Sequence, residues 1–217
     1  FVAYSSLYIK NLENERYNIM SFDHKIHYNY YNWGPFLYHT SLQPKELISI
    51  KNLCKKNKEK DARPNLAGLI KHEYRIDTEK VFEIISPYIK SYADGFSNYH
   101  QKELSPNINI IGAWVNYMTK FESNPIHKHS GDLSFIIYTK IPDELKKEVS
   151  NNKSKSSCPG TINFIYKLLH CDMSISQHNI LPKVGDLLIF PASLNHCVNH
   201  FESDGERISV SGNLEIK

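Results

Sequence analysis

The sequence predicts an α+β protein, mainly β, built as a double-stranded β-helix (a jelly roll) with helices from its N-terminal half packed on the outside. Three observations lead there. Apolar residues recur at helical spacing up to about residue 100 and at strand spacing from about residue 107. The strand-like segments are short, numerous and punctuated by Gly, Pro, Asn and Ser, as in all-β sandwiches and barrels. No internal repeat or compositional break divides the 217 residues, a length that suits one good core. Residues 1–217 therefore read as a single domain, with 1–106 as strand and helix support and 107–217 as the jelly-roll core.

The first 33 residues are rich in Tyr and Asn and show no clean period. Trp33-Gly34-Pro35 signals a turn and Phe36–Thr40 a short strand. Pro44–Cys54 predicts a helix, because Leu47, Ile50 and Cys54 share one face and proline is tolerated in a first turn. A charged, Pro-containing loop follows over 55–66. Asp77 offers an N-cap to a long helix in which Val81, Ile84, Ile85, Tyr88, Tyr92 and Phe96 recur every three or four residues. Pro87 lies inside it and predicts a kink or a split. Ile108–Met118 is the first barrel strand, and Asn124–Tyr138 reads as a second that runs through without a break. Residues 141–160 are polar and read as an exposed insert between barrel strands. Thr161–Tyr166, Ser174–Leu181, Leu187–Phe190, Cys197–Val198 and Ile208–Leu214 complete the strands.

A hydrophobic content of 41% and a charged content of 23% are ordinary for a globular protein. A net charge of +3 and a pI near 8.5 carry no strong nucleic-acid signal. No apolar run is long enough for a membrane span and no signal peptide is visible, so no membrane partner and a cytoplasmic location are expected. Cys54, Cys158, Cys171 and Cys197 form no CxxC pair and read as reduced thiols. Nothing in the composition sets an oligomeric state.

The chemistry is concentrated in two stretches. The first is Asn124-Pro125-Ile126-His127-Lys128-His129-Ser130-Gly131-Asp132-Leu133-Ser134, followed by an apolar run through Tyr138. Residues two apart on a strand point to the same face, so His127 and His129 can share one metal ion. The second is Gly185-Asp186 through Phe190-Pro191 to a single His196, followed by Arg207 in Glu206-Arg207-Ile208-Ser209-Val210-Ser211. A planar guanidinium binds a carboxylate through two parallel hydrogen bonds, and Ser209 and Ser211 share the face of Arg207. Trp114, Asn116 and Met118 lie on one strand face and are candidates to line a pocket; core packing is the plainer reading of Trp114 and Met118. Gly185 suits a tight turn, and Pro191 and Asn199 look like turn residues framing His196. His170, His178 and His200 have no matched partner and read as structural or surface residues, with His200 near enough to the site to help bind substrate.

Taken in order, HxH…GDLSF over 127–135, FPxxxxHxV over 190–198 and ERISxSxN over 206–213 resemble the iron(II)- and 2-oxoglutarate-dependent oxygenases, most closely the hydroxylase-like proteins encoded by marine bacteriophages. The abundance of Lys, Asn, Ile and Tyr is consistent with such a source. The resemblance spans about residues 108–216. It implies a dioxygenase that hydroxylates an unidentified small molecule or protein side chain while converting 2-oxoglutarate to succinate, with iron(II), 2-oxoglutarate and O2 as cofactors and ascorbate as a possible reductant. It implies His127, His129 and His196 as metal ligands and catalytic centre, Arg207 and Ser209 as the cosubstrate anchor, and Tyr138 as a further hydrogen bond to the cosubstrate. The sequence departs from the family at one place: the second ligand is usually a carboxylate, and here it is His129. Either three histidines hold the metal, or Asp132 supplies the acid through a bend at Ser130-Gly131. Two other readings stay open on the residues alone: a cupin-type metal enzyme that does not use 2-oxoglutarate, and a non-catalytic jelly-roll module. The polar insert and the N-terminal segment are the expected carriers of specificity, since loops on a rigid scaffold usually hold it.

Overall fold

The computed structural model describes residues 34–56, 60–105, 107–153, 158–166 and 176–217. In chain order these form β1 (Tyr38–Ser41), α1 (Pro44–Lys56), β2 (Glu73–Arg75), α2 (Thr78–His100), β3 (Ile108–Met118), β4 (Asn124–His127), β5 (Leu133–Lys140), α3 (Asp143–Asn151), β6 (Ile162–Ile165), β7 (Gln177–Ile180), β8 (Asp186–Pro191), β9 (Asn195–Val198) and β10 (Arg207–Ile216). A major sheet runs in the order β1-β8-β5-β10-β3-β2 and a minor sheet β4-β9-β6-β7, with every pairing antiparallel. The fold is the double-stranded β-helix that the sequence predicts.

The major sheet is buried on both faces. Phe135 and Ile137 of β5, Ile189 of β8 and Val210 of β10 join Ile50, Val81, Ile85 and Tyr92 of α1 and α2 in an outer core. The alternate residues Ile136, Tyr138, Leu188 and Phe190 join Ile162, Phe164 and Val198 of the minor sheet in an inner core. This is why β5 and β8 read as unbroken apolar runs rather than as alternating strands. Helix α2 starts on Asp77, whose carboxylate accepts the Lys80 N–H at 3.2 Å. It continues through Pro87 as one element, and that residue is exposed.

Two expectations are corrected. The stretch 124–138 is not one strand: β4 belongs to the minor sheet and β5 to the major one, and the chain crosses between them over 128–132. Gly131, at φ +88°, makes that crossing; a Cβ there would lie 2.8 Å from the Leu214 carbonyl oxygen. The segment 141–160 is not a bare exposed insert, for it holds α3, an amphipathic helix that buries Leu145 completely against the inner core. Gly185, at φ +97°, does occupy the predicted turn. Trp33, Cys171, His170 and the N-terminal Tyr/Asn-rich segment lie outside the described residues.

A short strand that the sequence does not signal, β2, adds Glu73 opposite Asn116 and Arg75 opposite Trp114 at the edge of the major sheet. Glu73 is buried, and its Oε2 has no hydrogen-bond partner among the described residues. Burial, and then the neighbouring Glu122 carboxylate, push the Glu73 pKa up from 4.5 to about 7. A carboxyl whose pKa is raised on folding keeps an extra proton in the native state between those two values. Stability from this group is therefore undiminished below pH 4.5, falls as pH rises towards 7, and levels off above it. Glu73→Gln should raise the unfolding free energy at pH 8 by about 1–3 kcal/mol and flatten the pH dependence between 4.5 and 7, read by denaturant melts.

Candidate metal and cosubstrate site

The minor sheet brings His127 and His196 face to face. They are directly opposed in the β4–β9 pairing, with ring centroids 4.2 Å apart. His129 lies two residues beyond the pairing of β4, but its backbone N–H still donates to Ala192 O at 2.9 Å, so the segment stays extended and the third ring converges on the other two. Its centroid is 4.8 Å from that of His127 and 5.0 Å from that of His196. One ligating nitrogen from each of the three lies within 4.8 Å of the others.

Their protonation suits a cation. The Nδ1 of His127 lies 2.7 Å from Pro125 O, and the Nδ1 of His196 lies 2.9 Å from Leu194 O. A carbonyl oxygen only accepts, so each Nδ1 carries the proton and each Nε2 presents a lone pair. Burial, then the neighbouring His127, lowers His129 to about 4 and His196 to about 3, and burial lowers His127 as well. All three imidazoles are neutral at pH 7, the form a metal ion takes. With ion–nitrogen distances of about 2.1 Å, one ion is within reach of the three once the rings close in slightly.

The major sheet forms the opposite wall. Arg207 opens β10 and is 1% exposed. Its guanidinium carbon sits 4.8 Å from the Tyr138 ring centroid, and Nη1 donates to the Met118 sulfur at 3.8 Å. Nε and Nη2 have no acceptor, and no carboxylate pairs with the charge among the described residues. Burial alone pulls the Arg207 pKa down. Asn116 donates from Nδ2 to Ser209 Oγ at 3.4 Å and to Ser211 Oγ at 3.3 Å, and holds both hydroxyls on the inner face. Arg207, Ser209, Ser211, Asn116, Trp114 and Met118 line one cavity with the three histidines. Trp114 and Met118 thus serve both readings, since Met118 is fully buried and Trp114 packs 5.6 Å from the His129 ring.

Other candidates are placed elsewhere. Asp132 is not part of the imidazole cluster: its Oδ2 accepts the Ile216 N–H at 2.8 Å and ties the 128–132 crossing to the end of β10. Tyr138 lies under the guanidinium rather than on the cavity surface; its hydroxyl is buried, close to Arg207 but without a well-formed hydrogen bond, and burial pushes its pKa up to about 12. Asn199 donates to Thr161 Oγ1 and Cys158 O as a turn tie. His200 sits near Glu148 and His178 on the exposed β7, both away from this cavity. One lining residue goes unmarked by the sequence. Asn124, three before His127, would face the other way on a regular strand, but the β4–β9 pairing shifts register between them. Its Oδ1 is buried in the same cavity without a partner.

Comparisons with known proteins bear on this arrangement. Residues 112–213, a little under half of the chain, match the family model described as "Putative 2OG-Fe(II) oxygenase". No curated protein is similar enough in sequence to count as a relative. Among solved structures, a Pseudomonas putida prolyl-4-hydroxylase is 13% identical over 83% of this chain and 92% of its own, with a TM-score of 0.51. HygX from Streptomyces hygroscopicus, solved with nickel and 2-oxoglutarate bound, is 8% identical over 86% and 84%, with a TM-score of 0.53. The non-heme alpha ketoglutarate dependent epimerase SnoN from nogalamycin biosynthesis is 11% identical over 83% and 78%, with a TM-score of 0.52. At such identities these likenesses speak for the fold, the double-stranded β-helix of these enzymes. The family match over the strands that carry the cavity, on that fold and around three clustered imidazoles, supports an iron(II)- and 2-oxoglutarate-dependent oxygenase.

Proposed function

We propose that His127, His129 and His196 hold the iron(II) without a protein carboxylate, that Arg207 and Ser209 hold the distal carboxylate of 2-oxoglutarate, and that the enzyme hydroxylates an aliphatic C–H bond of its substrate. One observation carries the reading: a fully buried guanidinium, with two N–H groups unpaired, lines the same cavity as three neutral imidazoles. An unpaired buried charge costs several kcal/mol, so a fold that keeps one has an anion to offset it. A cupin-type metal enzyme that does not use 2-oxoglutarate leaves this charge without a partner.

When bound, the metal supplies oxygen activation coupled to decarboxylation of the keto acid. The chain supplies position. The Pro125 and Leu194 carbonyls fix the tautomers of His127 and His196. Asn116 orients the Ser209 hydroxyl. Tyr138 braces the guanidinium from beneath. The apolar inner wall of Met118, Ile136 and Phe190 keeps water from the reacting centre. Three neutral ligands leave the ion's full double charge to the cosubstrate, which arrives as a dianion. The kinship with marine bacteriophage proteins rests on the three sequence motifs alone, and a cytoplasmic site of action fits a chain in which no described helix is long and apolar enough to cross a membrane.

Two measurements test these assignments. His129→Ala should weaken iron(II) binding by at least about tenfold, the lower end of what losing even an outer partner costs a metal site. Asp132→Ala should leave iron content near normal and cost about 1 kcal/mol of stability through the lost Ile216 hydrogen bond; the reverse pattern would make Asp132 the ligand. Arg207→Met should weaken 2-oxoglutarate binding by about 100-fold, the worth of two charge-assisted hydrogen bonds. It should also leave the cosubstrate-free protein as stable as the parent or more so, because a buried unpaired charge is gone. Unchanged 2-oxoglutarate affinity in calorimetry would remove Arg207 from the site.

A further inference from the structure

A second cleft, of about 260 Å3, shares a wall with the imidazole cavity, since Trp114 and His129 line both. Its remaining polar wall comes from Arg75 on the outermost strand of the major sheet, Lys128 and Ser130 in the crossing between the sheets, and the neutral Asn65 and Asn213. Pairing places Arg75 opposite Trp114 and Trp114 opposite Ser211, so the three form one row across the sheet face that carries the cavity. No acidic residue lines the cleft among the described residues. Neither Arg75 nor Lys128 forms an ion pair among the described residues, whereas Arg63, Lys80, Lys120, Lys140 and Lys146 all do.

These two cations are not needed by the cosubstrate. The anchor assigned to it, Arg207, lies in the inner cavity and does not reach this cleft. In a chain whose net charge is only +3, a cleft with two unpaired cations and no acid focuses a local positive potential at the mouth of the site. Arginine grips a carboxylate or phosphate with its planar fork and lysine adds a point charge, while the Trp114 face offers apolar contact to the carbon portion beside the anion.

Resting on the oxygenase reading above, we propose that this cleft is the substrate subsite and that the substrate carries an anionic group, a carboxylate or a phosphate monoester. Arg75 and Lys128 hold that group, the adjoining carbon skeleton lies over Trp114, and the C–H bond to be oxidised is presented past His129. This selects acidic metabolites or acidic side chains over neutral and cationic ones.

The test uses the full chain loaded with iron(II) and saturating 2-oxoglutarate, with oxygen excluded. Benzoate, phenyl phosphate and benzamide are titrated against tryptophan fluorescence, and Trp114→Phe identifies the signal that belongs to Trp114. At least one anion should quench that signal saturably at about tenfold lower concentration than neutral benzamide, a difference near 1.4 kcal/mol. The tighter of benzoate and phenyl phosphate tells carboxylate from phosphate. Arg75→Gln combined with Lys128→Gln should erase the preference while iron content and 2-oxoglutarate affinity stay at parent values. The proposal is overturned if neither anion saturates, if benzamide binds equally well, or if the double variant keeps the preference. A parent chain that takes up no iron or no 2-oxoglutarate overturns the oxygenase reading itself, and the subsite with it.

Discussion

The buried charge of Arg207 is the constraint on which the rest of the structure turns. A guanidinium sealed inside a protein is tolerated only where stacking, hydrogen bonds or a ligand offset its desolvation. Here Tyr138 and Met118 provide the first two in part, and two N–H groups remain open to the cavity. Everything that faces them has been made neutral. The imidazoles are uncharged at pH 7, and the carboxylate nearest to them in the sequence, Asp132, is spent on the Ile216 backbone outside the cluster.

Two sheets are needed to build this cavity because each carries a different half of it. The minor sheet offers His127 and His196 from paired strands, and the major sheet offers Arg207, Ser209 and Asn116 from β10 and β3. The 128–132 crossing joins them, which is why His129 sits at the junction and why a glycine with a left-handed backbone angle follows it. The outer helices contribute no side chain to this cavity. They cover the other face of the major sheet with a close-packed core, which holds β10 and β3 in register and so holds the anchor in place.

Much of this was legible in residue types and spacing. Periodicity found α1, α2, β3 and the late strands, because each is long enough or alternates cleanly enough to carry a period. The histidines were legible because imidazole two apart, and again after a strand and a turn, is an uncommon pattern with few structural uses. The break between β4 and β5 was not: the change of sheet within residues 124–138 is a long-range event marked locally only by Gly131. Nor was β2 visible, since three residues cannot show a period, and with it went Glu73 and the edge position of Arg75. Asn124 was hidden by a register shift that no local rule signals. The amphipathic character of α3 was masked by the polar residues around Leu145, its single fully buried anchor.

The central claim is that one ion is held by three imidazoles with no carboxylate from the chain, facing a cosubstrate whose far end is gripped by Arg207. A crystal structure of the iron(II)-loaded protein with an inert 2-oxoglutarate analogue tests it most directly. The account predicts His127, His129 and His196 nitrogens at about 2.1 Å from the metal and the distal carboxylate of the analogue paired with the Arg207 guanidinium. A metal bound by Asp132, or an analogue whose distal carboxylate lies away from Arg207, would contradict it.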